Sequence, residues 1–156
     1  MRIAAAVLLL LAACSSGGSI SDGTQTGGPF SFAGGGFTTD NPQFGRYPST
    51  EELMILFENV SERPQTVESI QIRQVNESSS PLLVESASKR IGRMIDPGEE
   101  LEVTMLVRVT PQRVEGGALL GGRRGITFDV ILHTGDGANY RYPVQVPMKT
   151  TIGVGP

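Results

Sequence analysis

Leu101, Val103, Met105, Val107 and Val109 alternate with Glu100, Glu102, Thr104, Leu106 and Arg108. A period of two over this length places every second side chain on one face, which defines a strand with one buried and one wet face. A helix would scatter the same five apolar residues around its circumference. Asp96-Pro97-Gly98-Glu99 stands just ahead and reads as a turn, because Pro presets φ and Gly accepts a positive φ. The pattern returns at Ile126, Phe128, Val130 and Leu132, with Thr127, Asp129, Ile131 and His133 opposite. Gly135-Asp136-Gly137 then reads as a tight hairpin loop, and Tyr140, Tyr142, Val144 and Val146 as the returning strand. Pro143 and Pro147 fall on the other face of that strand and imply a free edge.

Strand signals extend upstream. Leu53 to Phe57 is an apolar run that fits a central strand, covered on both faces or buried on one and half-buried on the other. Between Val67 and Val75, Ile70 and Ile72 alternate with polar residues while Val67 is out of step, which predicts a bulge near Glu68. Pro81 opens Leu82-Leu83-Val84, a short strand that Pro allows at its first position or on an edge. Six or seven strands follow from these patterns, with no helix of about ten residues. The 20 Gly and 10 Pro of the 156-residue chain, against six Phe, three Tyr and no Trp, also argue against a helical bundle. The order of elements over residues 48–150 resembles the immunoglobulin-like and fibronectin-like modules of bacterial envelope proteins. That resemblance implies an all-β chain with one immunoglobulin-like antiparallel β-sandwich of six to seven strands. Unlike antibody domains, the chain has one Cys and no Trp, so neither the inter-sheet disulfide nor the core Trp exists.

The N-terminus is of another kind. Arg2 and the amino group precede an unbroken apolar run from Ile3 to Leu11. The run is too short to span a bilayer, which takes roughly 20 apolar residues, and fits the apolar region of an export signal. Leu11-Ala12-Ala13-Cys14 follows and resembles the lipobox of bacterial lipoproteins. The resemblance implies cleavage of residues 1–13, a diacylglycerol thioether on Cys14 and acylation of its new amino group. It also implies residence in the cell envelope, lipid-anchored to the bilayer. Ser15, where an Asp would favour retention at the inner membrane, implies sorting to the outer membrane in an organism that has one. The alternative is an ordinary signal that leaves a free thiol, which an oxidising compartment disfavours.

Residues 14–47 read as the lipidated Cys and a flexible, Gly-rich tether, with Gly17-Gly18, Gly27-Gly28 and Gly34-Gly35-Gly36. Phe30, Phe32, Phe37, Phe44 and Tyr47 are more aromatic content than a spacer needs. Either they pack onto the domain as an extension or extra strand, or they order on a partner, or they stay disordered with no role. Residues 151–156 read as a C-terminal tail.

The chemical inventory is thin. With 13 Lys and Arg against 16 Asp and Glu, the net charge of −3 excludes a basic nucleic-acid binder. One Cys and one His leave too few ligands for a zinc site. His133 has Asp129 and Asp136 as possible partners, but no Gly-x-Ser-x-Gly elbow accompanies it. Asp96, Glu99, Glu100 and Glu102 form no calcium loop. The Gly runs lack the Lys-Ser/Thr of a phosphate loop, and Asn59-Val60-Ser61 and Asn76-Glu77-Ser78 read as coincidental sequons. No catalytic residue, cofactor or metal is expected.

The segment 111–125 is the candidate contact loop. It carries Arg113, Leu119, Leu120, Arg123 and Arg124 between Gly pairs, and Arg beside apolar residues in a loop suits an interface. The leading expectation is a non-enzymatic, membrane-anchored binding or assembly module. It would act as a monomer on another envelope protein or a cell-wall polymer. The alternative is an inhibitor of an exported protease, acting through the same loop.

Overall fold

The computed structural model describes residues 24–112 and 125–148. These form nine strands: β1 Thr24–Thr26, β2 Phe30–Thr38, β3 Ser49–Asn59, β4 Gln65–Gln74, β5 Leu82–Val84, β6 Ala87–Ile95, β7 Glu100–Pro111, β8 Gly125–Thr134 and β9 Asn139–Pro147. One sheet has the order β1-β9-β8-β4-β6 and the other β2-β3-β7-β5. All pairs are antiparallel except β1 with β9, which run parallel over three residues. Strands distant in sequence lie side by side, β3 with β7 and β4 with β8. This cross-pairing is the Greek-key connection of an immunoglobulin-like β-sandwich.

The alternating runs do what their period dictates. Leu101, Val103, Met105, Val107 and Val109 are buried on β7, facing Ile126, Phe128, Val130 and Leu132 from β8 across the core. On the wet face of β7, Leu106 stays 67% exposed. Leu53, Ile55 and Phe57 are buried on β3, with Met54 and Leu56 half-buried on the reverse, since β3 is central between β2 and β7. The Asp96–Glu99 turn closes with Glu99 N–H donating to the Asp96 carbonyl at 2.9 Å, and Gly98 takes φ 76°. That is the type II geometry which needs Gly at its third position. The register on β4 shifts between Val67 and Ser69 against both neighbours, which puts a bulge at Glu68.

Two features differ from the sequence reading. The sandwich extends over residues 24–47, where a flexible tether is expected, and so starts ahead of Pro48. Phe30 and Phe37 are buried on β2, and Phe32 and Phe44 pack against the core. Phe37 and Phe44 have ring centroids 5.3 Å apart. Each buried ring contributes about 1.5–3 kcal/mol, which offsets the ordering entropy of a Gly-rich strand. The aromatic residues thus act as an extension with extra strands. Tyr47 is the exception, left exposed. The second difference is β6, which has no apolar alternation. It is an edge strand with Ser88, Lys89, Arg90, Arg93 and Met94 exposed, and charged residues of this kind protect an open edge. These strands raise the count from six or seven to nine.

Candidate functional site

Cys14, Arg113, Leu119, Leu120, Arg123 and Arg124 lie outside the described residues. The stems of the loop are within them, and both are held by the segment that follows β4. The Gln112 amide donates to the carbonyls of Glu77 and, at 2.6 Å, Ser80. On the other stem, the Asn76 amide reaches the Gly125 carbonyl at 3.4 Å, and Asn76 Oδ1 accepts from Thr127 N–H at 3.1 Å. A hollow of about 720 Å³ lies against these stems, walled by Arg73, Val75, Glu77, Leu83 and Gln112. It opens broadly to solvent and mixes one cation, one carboxylate and two apolar side chains. Such a hollow can hold a peptide side chain or a bridging loop, whereas a small-molecule site buries most of its ligand.

Arg73 leads from this hollow onto the outer face of the five-stranded sheet, which holds the most developed polar cluster. Asp129 on β8 sits directly opposite Arg73 on β4 and two residues, on the same face, from Ile131, the register partner of Arg141 on β9. Both guanidinium groups donate to Asp129 Oδ2, Arg73 at 3.4 Å and Arg141 at 2.5 Å. The Asp129 side chain is only 3% exposed, although its strand position faces outward, because the two Arg side chains cover it. Those Arg side chains are 66% and 37% exposed and keep donors free for a ligand. Arg90 on β6, the register partner of Ser69, adds a further cation to the same face. The alternation had placed Asp129 on the solvent side; the covering by Arg from two other strands needed the register.

His133 pairs with neither Asp129 nor Asp136. Its Nδ1 lies 2.7 Å from Asn139 Oδ1, across the β8–β9 hairpin. Asp136 instead accepts from Thr134 Oγ1 at 2.6 Å and from Ala138 N–H at 3.1 Å. Those hydrogen bonds from the Thr134 hydroxyl and the backbone hold its carboxyl below the usual range. Burial pushes the Tyr142 hydroxyl up to about 12, so it stays neutral where it accepts from Phe30 N–H. These groups serve the fold. Among the described residues, no three or more His, Cys, Asp and Glu side chains gather as a metal site, and no helix is long and apolar enough to cross a membrane.

No protein-family model and no curated protein matches the sequence. Among solved structures the chain is similar to part of a β-glucuronidase from glycoside hydrolase family 2. The identity is 13% and the TM-score 0.36, over 72% of this chain and 11% of that one. It is also similar to part of a GH20 exo-β-N-acetylglucosaminidase from Vibrio harveyi, at 10% identity and TM-score 0.34, over 83% of this chain and 19% of that one. The chain thus spans less than a fifth of the length of either enzyme. At these scores the likeness assigns no activity, and the sandwich stands on its own strands and registers.

Proposed function

We propose that the protein is a lipid-anchored lipoprotein of the bacterial envelope whose sandwich is a non-enzymatic binding or assembly module. The observation that carries this reading is Leu11-Ala12-Ala13-Cys14 after a positively started apolar run, ahead of a folded domain. The start of β1 at Thr24 leaves ten residue steps from Cys14, at most about 35 Å of chain. The domain therefore works close to the bilayer surface. Two or three acyl chains anchor firmly, whereas one is marginal.

Partner contact through the 113–124 loop belongs to this reading, supported by the bracing of both its stems. The same bracing favours the alternative, inhibition of an exported protease, because a cleft-filling loop must be held in shape. Fatty-acid labelling and detergent-phase partition of the full chain test the anchor. Wild type is expected to take label and enter the detergent phase, and Cys14→Ala to do neither while still folding. Labelling of the Ala variant would defeat the lipoprotein reading. Capture of envelope proteins by wild type and by Arg123→Ser/Arg124→Ser tests the loop. Equal capture by both would remove it as the contact surface, and a stable protease partner would select the inhibitor.

A further inference from the structure

The two outer faces of the sandwich carry opposite charge. On the five-stranded sheet, Arg73 and Arg141 flank the carboxylate of Asp129, and Arg90, the register partner of Ser69, adds a third cation near the exposed Glu68. The outer face of the four-stranded sheet presents Glu52 and Glu58 from β3 and Glu100 and Glu102 from β7. Among the described residues none of these four makes an ion pair; Arg108, the cation on that face, lies 3.8 Å from Glu85. Glu58 and Glu100 are register partners, and like charges directly opposite destabilise a strand pair. Folding alone gives no reason to keep them there.

The same face is shaped to receive long side chains. Half-buried Met54 and Leu56 and exposed Leu106 lie between the carboxylates. Beside Met54 and Leu56, β2 places Gly36 and Gly34 as register partners. A Cβ at either Gly would meet nothing within 4 Å, so packing does not require Gly at these positions. Gly inside a strand marks a bulge, as the register shift between Phe32 and Gly34 does here, and Gly34 and Gly36 leave the surface beside Met54 and Leu56 uncovered. Arg stems fit such a surface: their methylenes cover Met and Leu while the guanidinium reaches a carboxylate.

We infer that the outer face of the four-stranded sheet docks the outer face of the five-stranded sheet of a second copy of this chain. The charge complementarity of the two faces selects that occupant, in place of the single-copy state expected from sequence. The contact is heterologous, so it propagates head to tail instead of closing as a twofold dimer. It names the partner of the proposed assembly module and is independent of the anchor.

The test co-expresses two differently tagged full-length copies in a Cys14→Ala background, one with Leu106→Cys and one with Gln71→Cys, and oxidises them at low ionic strength. Disulfide adducts between the two tags are expected at least about tenfold above those within either variant expressed alone, the contact being head to tail. The adduct should fall away in about 1 M salt, where charges are screened beyond about 3 Å. Glu52→Lys/Glu102→Lys on the first copy should abolish it, and Ser88→Glu/Arg90→Glu on the second should restore it. Ser88 and Arg90 are exposed edge positions, and unchanged melting of each variant controls for folding. No mixed adduct, equal adducts within single variants, or indifference to charge reversal would each overturn the docking. Because both copies lack Cys14 and so the lipid site, failure here is separate from failure of the lipoprotein reading.

Discussion

The Asn59 side chain on β3 donates to the Ile95 main-chain carbonyl on β6 at 2.9 Å, joining the four-stranded sheet to the five-stranded one. Asn59 is fully buried. Its amide also donates to the Arg63 carbonyl, and its Oδ1 accepts from both Ser61 N–H and Ser61 Oγ. Its main chain adds to the knot, since Asn59 N–H donates to the Glu99 carbonyl and Gly98 N–H to the Asn59 carbonyl at 2.7 Å. One residue thus ties the β3–β4 connection to the β6–β7 turn. The Asn59-Val60-Ser61 sequon is consistent with this use and is not an exposed acceptor.

Asn59→Ala should therefore cost about 2–4 kcal/mol, because it removes the buried bond to the Ile95 carbonyl and the bond from Ser61 N–H, at about 1–3 kcal/mol for a buried group. Urea unfolding of the full chain measures it. A loss under about 0.5 kcal/mol, the range of an ordinary surface change, would show that the knot is replaced by water.

Gly28 marks where the chain leaves the five-stranded sheet for the four-stranded one. It has φ 152°, and a Cβ there would lie 2.4 Å from Tyr140 Cδ1 and 2.6 Å from the Tyr142 hydroxyl oxygen. Gly28→Ala should destabilise the domain by about 1–3 kcal/mol, as overpacking does. It should also detach β1 from β9, so hydrogen exchange at Gly27 and Arg141 should accelerate. Gly34→Ala, with open space at its Cβ, should leave the melting temperature within about a degree or raise it slightly. Equal effects from the two substitutions would contradict the crossing geometry.

Strands with one dry and one wet face were legible because burial writes a period of two into the sequence: β7 follows it throughout, β8 except at buried Asp129, and β9 from Tyr142 on. The Pro-Gly turn and the bulge at Glu68 were legible for similarly local reasons. What escaped depends on neighbours distant in sequence. β6 pairs only through β4 and exposes most of its side chains, so no pattern forms. The Phe residues of β2 sit among glycines that read as a tether until β3 lies beside them. The polar ties are the least legible: Gln74, on β4, donates to the Leu82 carbonyl at 2.9 Å and accepts from Val84 N–H at 2.7 Å on β5 in the other sheet. In the sequence it is one more polar residue. The Asp129 cluster escaped likewise, since Arg73 and Arg141 reach it only through the order β9-β8-β4.

Asp129→Ala should lower stability by about 1–2 kcal/mol. It would leave two guanidinium groups facing each other over an emptied position, and loss of one partner from a buried pair is destabilising. The effect is smaller than for a fully buried pair because both Arg side chains are more than a third exposed and screened by water. Arg73→Ala alone should cost under about 0.5 kcal/mol, as its pair is the longer and more exposed one. The two substitutions combined should be non-additive, because removing Arg73 relieves part of the repulsion that Asp129→Ala creates. Strict additivity in a double-mutant cycle would show that the cluster does not act as a unit.

Acid should unfold the domain through its depressed carboxyls, Glu51 foremost. Burial by itself raises the Glu51 pKa, but the neighbouring Ser49 and Thr39 hydroxyls and the Asn41 amide outweigh it and leave the carboxyl below its usual value. The Asn41 amide donates to Glu51 Oε1 at 2.9 Å, which pins the β2–β3 connection to the start of β3. Glu99 is depressed as well, chiefly by the Asp96 N–H and then by Arg93. A group whose folded pKa lies below its unfolded pKa binds fewer protons in the folded state. Its stabilisation is complete above the unfolded value, about 4.3 for Glu, and is lost as pH falls through the folded value. Melting temperature should therefore hold steady between about pH 5 and 7 and drop steeply below about pH 4.3. Glu51→Gln should melt lower than wild type at pH 7, with the gap closing as pH falls because the wild-type carboxyl becomes neutral too. A gap that is constant from pH 7 to 3 would show that the ionised form of Glu51 contributes nothing to the fold.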